Sequence, residues 1–584
     1  MSTHTYAVWA PDSGEVQLLV GSGEPTAYPM RRGDDGWWRV EADPGDGRYA
    51  YSVDGSDPRP DPRSLSQPDG VHGASQLVDT GSFTWTDQEW AGVPLPEAVV
   101  YEMHVGTFSP GRTFDSAVQR LDHLASLGVT VVEVMPVAAF PGEHGWGYDG
   151  VCPYAVHAPY GGPEAFARFV DACHARGMAV WLDVVYNHLG PSGNYLSVFG
   201  PYFTAKHHTP WGKAVNLDDT GSDEVRSYLL DNTRMWLQDF HLDGLRLDAV
   251  HELHDHRAVT LLAELAALAD EISLETGVPR HLVAESDRND PATVAPRGPG
   301  GTGGIGLHGQ WVDDVHHALH VALTGESQGY YADFATPGAL AKILGTTPFF
   351  HDGTFSSFRG RSHGDVVDPA VTPGWRYVAS LQTHDQVGNR AVGERLCHLA
   401  APGLAAVGAA LLLTSPYTPM LFMGEEWAAG TPWQYFTAHE EEWLAQAIRE
   451  GREREFSAHG WSADVPDPQA ESTVQASTLD WSELEQPPHA RMLEWYRTLL
   501  RLRREVPALR ETPLGAGWVE HDAVTGVLLV GRGQVTVVAD LAGGGQRLLL
   551  PSQVTGRQVL ARWDSAEVSG DEVVLAGHDV LVLG

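Results

Sequence analysis

The sequence predicts an α/β architecture: a (β/α)8 TIM barrel flanked by an N-terminal immunoglobulin-like β-sandwich and a C-terminal antiparallel β-sandwich. Three observations carry this prediction. Eight short apolar runs alternate with helical segments from Ala98 to Arg504, which is the rhythm of a closed parallel barrel. Aromatic and β-branched runs broken by Gly, Pro and Asp fill the first 90 residues, and similar runs return from Glu511 to Gly584. At 584 residues the chain is long enough for several folding units, here 1–90, 91–510 and 511–584.

In chain order, the first sandwich draws on Tyr6–Trp9, Val16–Val20, Trp37–Glu41 and Arg48–Val53. The barrel strands are expected at Val99–His104, Val129–Met135, Ala179–Val185, Gly244–Ala249, His281–Glu285, Gln310–Asp313, Tyr377–Gln382 and Met420–Gly424. They are apolar nearly throughout, as strands buried on both faces must be. Helices are expected at Phe114–Leu127, Pro163–Ala175, Asp223–Phe240, Val259–Ile272, Gly403–Leu413 and Pro488–Arg504. Two long connections, Ala138–Gly162 and Leu189–Gly221, follow strands 2 and 3, and loops of that length in a compact domain usually carry function. The last sandwich draws on Val527–Val530, Val535–Ala539, Arg547–Leu550, Glu572–Leu575 and Asp579–Leu583.

Composition narrows the function. Acidic residues number 76 against 38 basic, a formal charge of −38, which argues against a nucleic-acid partner or attachment to an anionic membrane. The longest apolar run, Leu404–Thr414, is about half of the ~20 residues a membrane span requires. No basic and then apolar leader follows Met1, and Cys152, Cys173 and Cys397 lie too far apart for a disulfide framework or a CxxC metal spacing. The expected setting is a soluble, cytoplasmic protein. The 19 tryptophans suit a ligand with alternating apolar and hydroxylated faces.

Carboxylates end several of the expected strands: Asp183 begins Asp-Val-Val-Tyr-Asn-His188, Asp248 closes Gly244-Leu-Arg-Leu-Asp, Glu285 closes Leu282-Val-Ala-Glu, and Asp385 follows His384. Arg246 and Asp248, two apart on a strand, face the same way, and the guanidinium favours an ionised Asp248 able to act as a nucleophile. Glu285 follows three apolar residues, so desolvation raises its pKa toward that of a general acid. One charged and one protonated carboxyl is the requirement of retaining glycoside hydrolysis. Asp385 supplies a third carboxylate for a positively charged, oxocarbenium-like transition state.

These four segments resemble the four short regions of the α-amylase family of glycoside hydrolases, and Trp9-Ala-Pro11 resembles the N-terminal sandwich of its glycogen-active and trehalose-forming members. Phe140-Pro-Gly142, Gly145-Trp-Gly-Tyr148-Asp-Gly150, Gly190-Pro-Ser-Gly-Asn-Tyr195, Trp311 through His320, Gln382 through Arg390 and Phe422-Met-Gly-Glu-Glu426 are similar to the trehalose-releasing hydrolases of that family. The resemblance implies cleavage of the α-1,4 bond next to the terminal trehalose of maltooligosyl trehalose, with no cofactor and no catalytic metal. It also implies a place in a pathway with a maltooligosyl trehalose synthase. By the same resemblance Asp248 is the nucleophile, Glu285 the acid/base and Asp385 the transition-state stabiliser. Tyr148 stacks under the −1 sugar, and His188, Arg246 and His384 hold its hydroxyls. His251, Glu252 and Arg390 are further substrate contacts. Asp313, Asp314 and Glu326 are candidates for the trehalose hydroxyls, with Trp311 as a wall. The sequence departs from the family pattern at Val312 and Val315, where Asn and Phe are expected, and at Thr383, where Asn is frequent. A 1,4-α-glucan branching enzyme or another member of the family remains the alternative. A non-catalytic glucan-binding barrel would require a missing carboxylate, and all three are present.

Other patterns carry less. Gly301-Thr-Gly-Gly-Ile-Gly306 has the GxGxxG spacing without a preceding strand, and Gly325-Glu-Ser-Gln-Gly329 has the GxSxG spacing after a helical run. Histidines cluster at 251, 254 and 256 and at 316, 317 and 320, where hydrogen-bonding or core roles are the default and no metal is assigned.

Overall fold

Eight parallel strands close into a barrel: Val100–Met103, Val131–Val134, Ala179–Val184, Gly244–Leu247, His281–Ala284, Gly309–Trp311, Tyr377–Ser380 and Thr418–Phe422, numbered here as barrel strands 1 to 8. This computed structural model describes residues 3–298, 303–458 and 465–584, so Gly301 and Thr302 of the glycine-rich run lie outside the described residues. Each strand overlaps an expected run. Strands 4, 5 and 6 stop short of Asp248, Glu285 and Asp313, because the first two open the loops that follow and Asp313 begins the helix Asp313–Thr324.

The barrel interior is layered. Its lower part is apolar, with Val100, Val131, Trp181, Val283, Trp311, Val378 and Met420 forming one buried cluster. Gly244 makes room for it: a Cβ there would lie 2.5 Å from the His281 carbonyl oxygen and 2.7 Å from Trp181 Cδ1. Above this layer the register sets Glu102 beside Glu133 and Asp183 beside Arg246, all four buried.

The helices differ from expectation in two places. The stretch Phe114–Leu127 is two helices, Phe114–Val118 and Leu121–Leu127, because Arg120 at φ −108° leaves helical geometry and each piece buries its own apolar residues. The stretch Asp223–Phe240 is an α-helix, Ser222–Arg234, that widens into a π turn over Met235–Asp239. The others fall where expected, at Gly162–His174, Leu261–Thr276, Pro402–Leu413 and Pro487–Glu505.

Both long connections are structured. In the first, Ala138–Ala139 pairs with Cys152–Val156, and the second holds a hairpin of Phe203–Thr209 and Gly212–Val215. The N-terminal sheets order His4–Trp9, Trp37–Ala42, Arg31–Arg32 and Thr26–Pro29, Val16–Val20, Arg48–Val53, Ser75–Gln76. The three strands absent from the sequence reading are only two to four residues long, and Thr26–Pro29 and Arg31–Arg32 are mostly exposed, so they lack a clear alternating pattern. Trp9 meets Tyr202 edge-on at 5.5 Å, which seats this sandwich on the second connection.

The C-terminal sheets order Trp518–Asp522, Val527–Arg532, Val535–Asp540, Val580–Leu583, Val559–Arg562 and Gln546–Leu549, Glu572–Leu575, Glu567–Ser569. Leu529, Val538, Val573, Leu575 and Leu581 share a buried cluster there. Gly325 is the left-handed C-cap of the Asp313–Thr324 helix, not a nucleophile elbow. Among the described residues no helix is long and apolar enough to cross a membrane. The three cysteines are free.

Candidate active site

Arg246 organises the carboxyl ends of the barrel strands. Its Nη1 lies 2.7 Å from Asp183 Oδ2 and 2.8 Å from Asp248 Oδ1, and its Nη2 lies 3.2 Å from Glu285 Oε2. A planar guanidinium with five donors can serve several carboxylates at once, which a lysine cannot. Its other support is the Trp311 ring, 4.4 Å from Cζ. That contact corrects the expected role of Trp311: the indole is buried in the barrel beneath Arg246 and forms a floor rather than a wall.

Asp248 is the first residue beyond strand 4. Asn187 Nδ2 donates to its Oδ2 at 2.7 Å and to its carbonyl oxygen at 2.8 Å, fixing both the side chain and the turn. Glu285 occupies the same position after strand 5 and accepts a 2.6 Å hydrogen bond from the Ala249 backbone. Ala249 has φ 38° and ψ 52°, a left-handed conformation that costs a residue with a Cβ on the order of 1–2 kcal/mol. This strained turn aims an N–H at the acid. Burial raises the pKa of Glu285, and the charges of Asp248 and Asp385 add to it against the pull of Arg246.

Asp385 lies in the first turn of the His384–Gly388 helix and is open to the cleft. Thr383 caps that helix, its Oγ1 accepting from the backbone of Asp385 and Gln386, so the departure from Asn at this position has a structural use. Asn389 Nδ2 donates to Asp385 Oδ1 at 2.5 Å. His384 is held by Glu102, which accepts from Nδ1 at 2.5 Å and from the backbone N–H at 2.9 Å. Burial opposes protonation of this imidazole, but the Glu102 carboxylate prevails and raises its pKa.

Tyr148 completes the network. Its hydroxyl donates to Asp183 Oδ2 at 2.6 Å and lies 2.8 Å from His384 Nε2, and its ring stacks on that imidazole at 5.1 Å. Gly147, at φ 100°, allows the approach, because a Cβ there would lie 2.2 Å from the Pro136 carbonyl oxygen. Burial pushes Asp183 up to about 6, with Arg246 opposing. His188 Nε2 lies 3.1 Å from the Tyr148 carbonyl oxygen, and its ring is covered by Trp211 at 4.2 Å and 7°.

On the opposite side a cavity of ≈310 Å³ is lined by Asp313, Asp314, Ser286, Tyr330, Phe358 and Asp385, among others. Burial, with the neighbouring Glu285 and Asp385 charges, pushes Asp313 up to about 7. Asp314 differs, because its Oδ2 accepts from Asn289 Nδ2 and from the backbone of Phe350 and His351, fixing that segment. Glu326 is bidentate to Arg390 at 2.9 and 3.0 Å and accepts from His320 at 2.8 Å, the last contact being the main cause of its pKa of about 2. His251 and Glu252 sit on the turn after Asp248, where Arg288 donates to the His251 carbonyl oxygen. Val312 and Val315 are buried packing residues. A larger cavity, ≈760 Å³, lies between Thr80–Trp85 and the Gly162–His174 helix, away from these carboxylates.

The chain is similar to known proteins. The family profile described as the catalytic domain of alpha-amylase matches residues 100–199. The malto-oligosyltrehalose trehalohydrolase of Arthrobacter ramosus is 54% identical over 545 residues, spanning 92% of this chain and 93% of its own. That of Rhizobium sp. (strain M-11) is 50% identical over 587 residues, spanning 99% and 97%. This chain belongs to the malto-oligosyltrehalose trehalohydrolases. A crystal structure of a candidate alpha amylase from Salmonella typhimurium superposes with a TM-score of 0.89 at 38% identity, covering 99% of this chain and 97% of that one.

For a trehalohydrolase of this architecture, sequence reasoning brought the three central carboxylates together but missed several supporting residues. Glu102 is a lone charge in Val-Tyr-Glu-Met, and a charge inside an otherwise apolar barrel strand was the available signal. Asn187 was visible only as part of the Asp183–His188 run, with no role of its own. Trp211 carried no signal, since its contact with His188 exists only once the hairpin folds back over the barrel.

Proposed function

We propose that the chain hydrolyses the α-1,4 bond adjacent to the terminal trehalose of maltooligosyl trehalose by a double displacement. The observation that carries the reading is one guanidinium holding both Asp248 and Glu285, which favours the ~5–5.5 Å carboxyl spacing of a retaining pair over the ~6.5–9.5 Å of an inverting one. Asp248 attacks the anomeric carbon while Glu285 protonates the glycosidic oxygen, and trehalose leaves. Glu285, now ionised, takes a proton from water, which attacks the glycosyl-enzyme and releases the maltooligosaccharide and Asp248. Asp385 balances the positive charge that develops at the anomeric carbon.

Tyr148 underlies the −1 sugar, with His188, Arg246 and His384 on its hydroxyls, and the Tyr148–His384 stack supports the flat surface this requires. The trehalose end occupies the cavity beside Asp313, with Asp314, Glu326, Arg390, His251 and Glu252 shaping its surroundings. The reaction needs no cofactor, and it takes place in the cytoplasm on substrate made by a maltooligosyl trehalose synthase. The relatives' name, trehalohydrolase, supports the substrate. Chromatography of products from maltooligosyl trehalose and from the matching plain maltooligosaccharide tests the proposal. Trehalose should appear from the first alone and disappear with Asp248→Ala. Chain transfer without trehalose would indicate a branching enzyme.

A further inference from the structure

The hairpin Phe203–Thr209/Gly212–Val215 carries at its turn Trp211, which covers His188 in the cleft. Around the bulge between Thr204 and His208 three side chains converge that catalysis does not use. Asp218, whose carboxyl is shielded from solvent, lies 3.1 and 3.2 Å through its two oxygens from His207 Nε2, and its Oδ2 lies 3.0 Å from His256 Nδ1. One ligand atom from each of the three residues falls within 4.8 Å of the others. Ligands about 2.0–2.1 Å from a tetrahedral zinc stand roughly 3.3–3.5 Å from one another, so this trio needs only small adjustments to enclose an ion. The His254 ring stacks on that of His207 at 5.3 Å, and its Nε2 lies 3.5 Å from Glu252 Oε2.

We infer that His207, Asp218 and His256 form a binding site for a zinc-type divalent cation, which clamps the Trp211 hairpin to the loop that follows the nucleophile. Two imidazoles with one carboxylate are a zinc donor set, with water in the fourth position, whereas calcium requires six to eight oxygen ligands. The donors come from separate segments: His207 from the hairpin, Asp218 from the chain leaving it, and His256 from the loop beyond His251 and Glu252. A cation there joins elements that otherwise meet through hydrogen bonds. Lys206 Nζ, 3.1 Å from Asp218 Oδ1, competes for the carboxylate, but its side chain is half-exposed and free to swing into solvent.

The test uses the full chain, stripped with EDTA and then titrated with zinc chloride against a chromophoric chelator. Metal binding does not depend on the hydrolase reading, so the two can fail separately. One equivalent of zinc should bind, raise the melting temperature, and slow amide exchange in residues 203–215. His207→Ala/His256→Ala should weaken binding by more than ~100-fold, given that removing even outer-shell partners costs 10–100-fold. His256→Ala alone, at a mostly exposed side chain, keeps the fold intact and should show the same direction. Absence of stoichiometric binding, binding unchanged in the double variant, or a response to calcium chloride equal to that for zinc would each overturn the inference.

Discussion

At the scale of single residues, the proposed mechanism asks for different protonation states on neighbouring carboxyls. Glu285 is pushed up by burial and by the charges of Asp248 and Asp385, while Asp248 is paired directly with Arg246. Glu285→Gln, which preserves shape and removes the proposed proton donor, should lower kcat by ~10²–10⁴-fold in steady-state assays. Asp313, pushed up to about 7, makes a separate prediction. An acid whose folded pKa is raised stabilises the fold below its unfolded value near 3.8, and that contribution is lost as pH rises through about 7. Asp313→Asn should therefore melt above the wild type at pH 8 and approach it near pH 4, as thermal denaturation across that range will read. These two carboxyls were legible to different degrees. The apolar Leu-Val-Ala before Glu285 announced a desolvated acid, whereas the elevated pKa of Asp313 depends on burial and on neighbouring charges that only the closed barrel creates.

At the scale of elements, strand ends and loops divide the work. The eight strands were readable because a parallel barrel buries both strand faces and leaves uninterrupted apolar runs. The short edge strands of the sandwiches were not, since exposed pieces such as Thr26–Pro29 have no alternating pattern to read. The left-handed turn at Ala249 was also invisible, because it is imposed by the closure between strands 4 and 5 rather than by a local glycine. The hairpin bearing Trp211 is the element most open to test. Its indole is half-exposed and stacks on His188, so it adds a surface for a sugar without touching a reacting carboxylate. Trp211→Ala should raise KM for maltooligosyl trehalose by ~5–30-fold with little change in kcat, since lost stacking of this kind costs about 1–2 kcal/mol.

At the scale of the whole molecule, the segment joining the first sandwich to the barrel is fastened by a buried charge cluster. His174, at the end of the Gly162–His174 helix, lies 2.8 Å from Asp87 and 2.9 Å from Asp243, with Trp90 stacked on it at 4.6 Å. Burial alone would lower its pKa, but the two carboxylates raise it to about 8. For a raised imidazole the stabilisation is complete below the unfolded value near 6.5 and disappears as pH rises through about 8. Melting temperature should therefore fall between pH 6.5 and 8.5 in the wild type, and His174→Gln should start lower and show a flatter profile. The same molecule-wide arrangement brings Asp248 and Glu285, 37 positions apart in sequence, onto one guanidinium, and this pairing is the basis for a retaining mechanism. The most direct measurement is proton NMR of the first maltooligosaccharide released from maltooligosyl trehalose, recorded before mutarotation. The double displacement predicts that the new reducing end appears as the α-anomer; initial appearance of the β-anomer would contradict it.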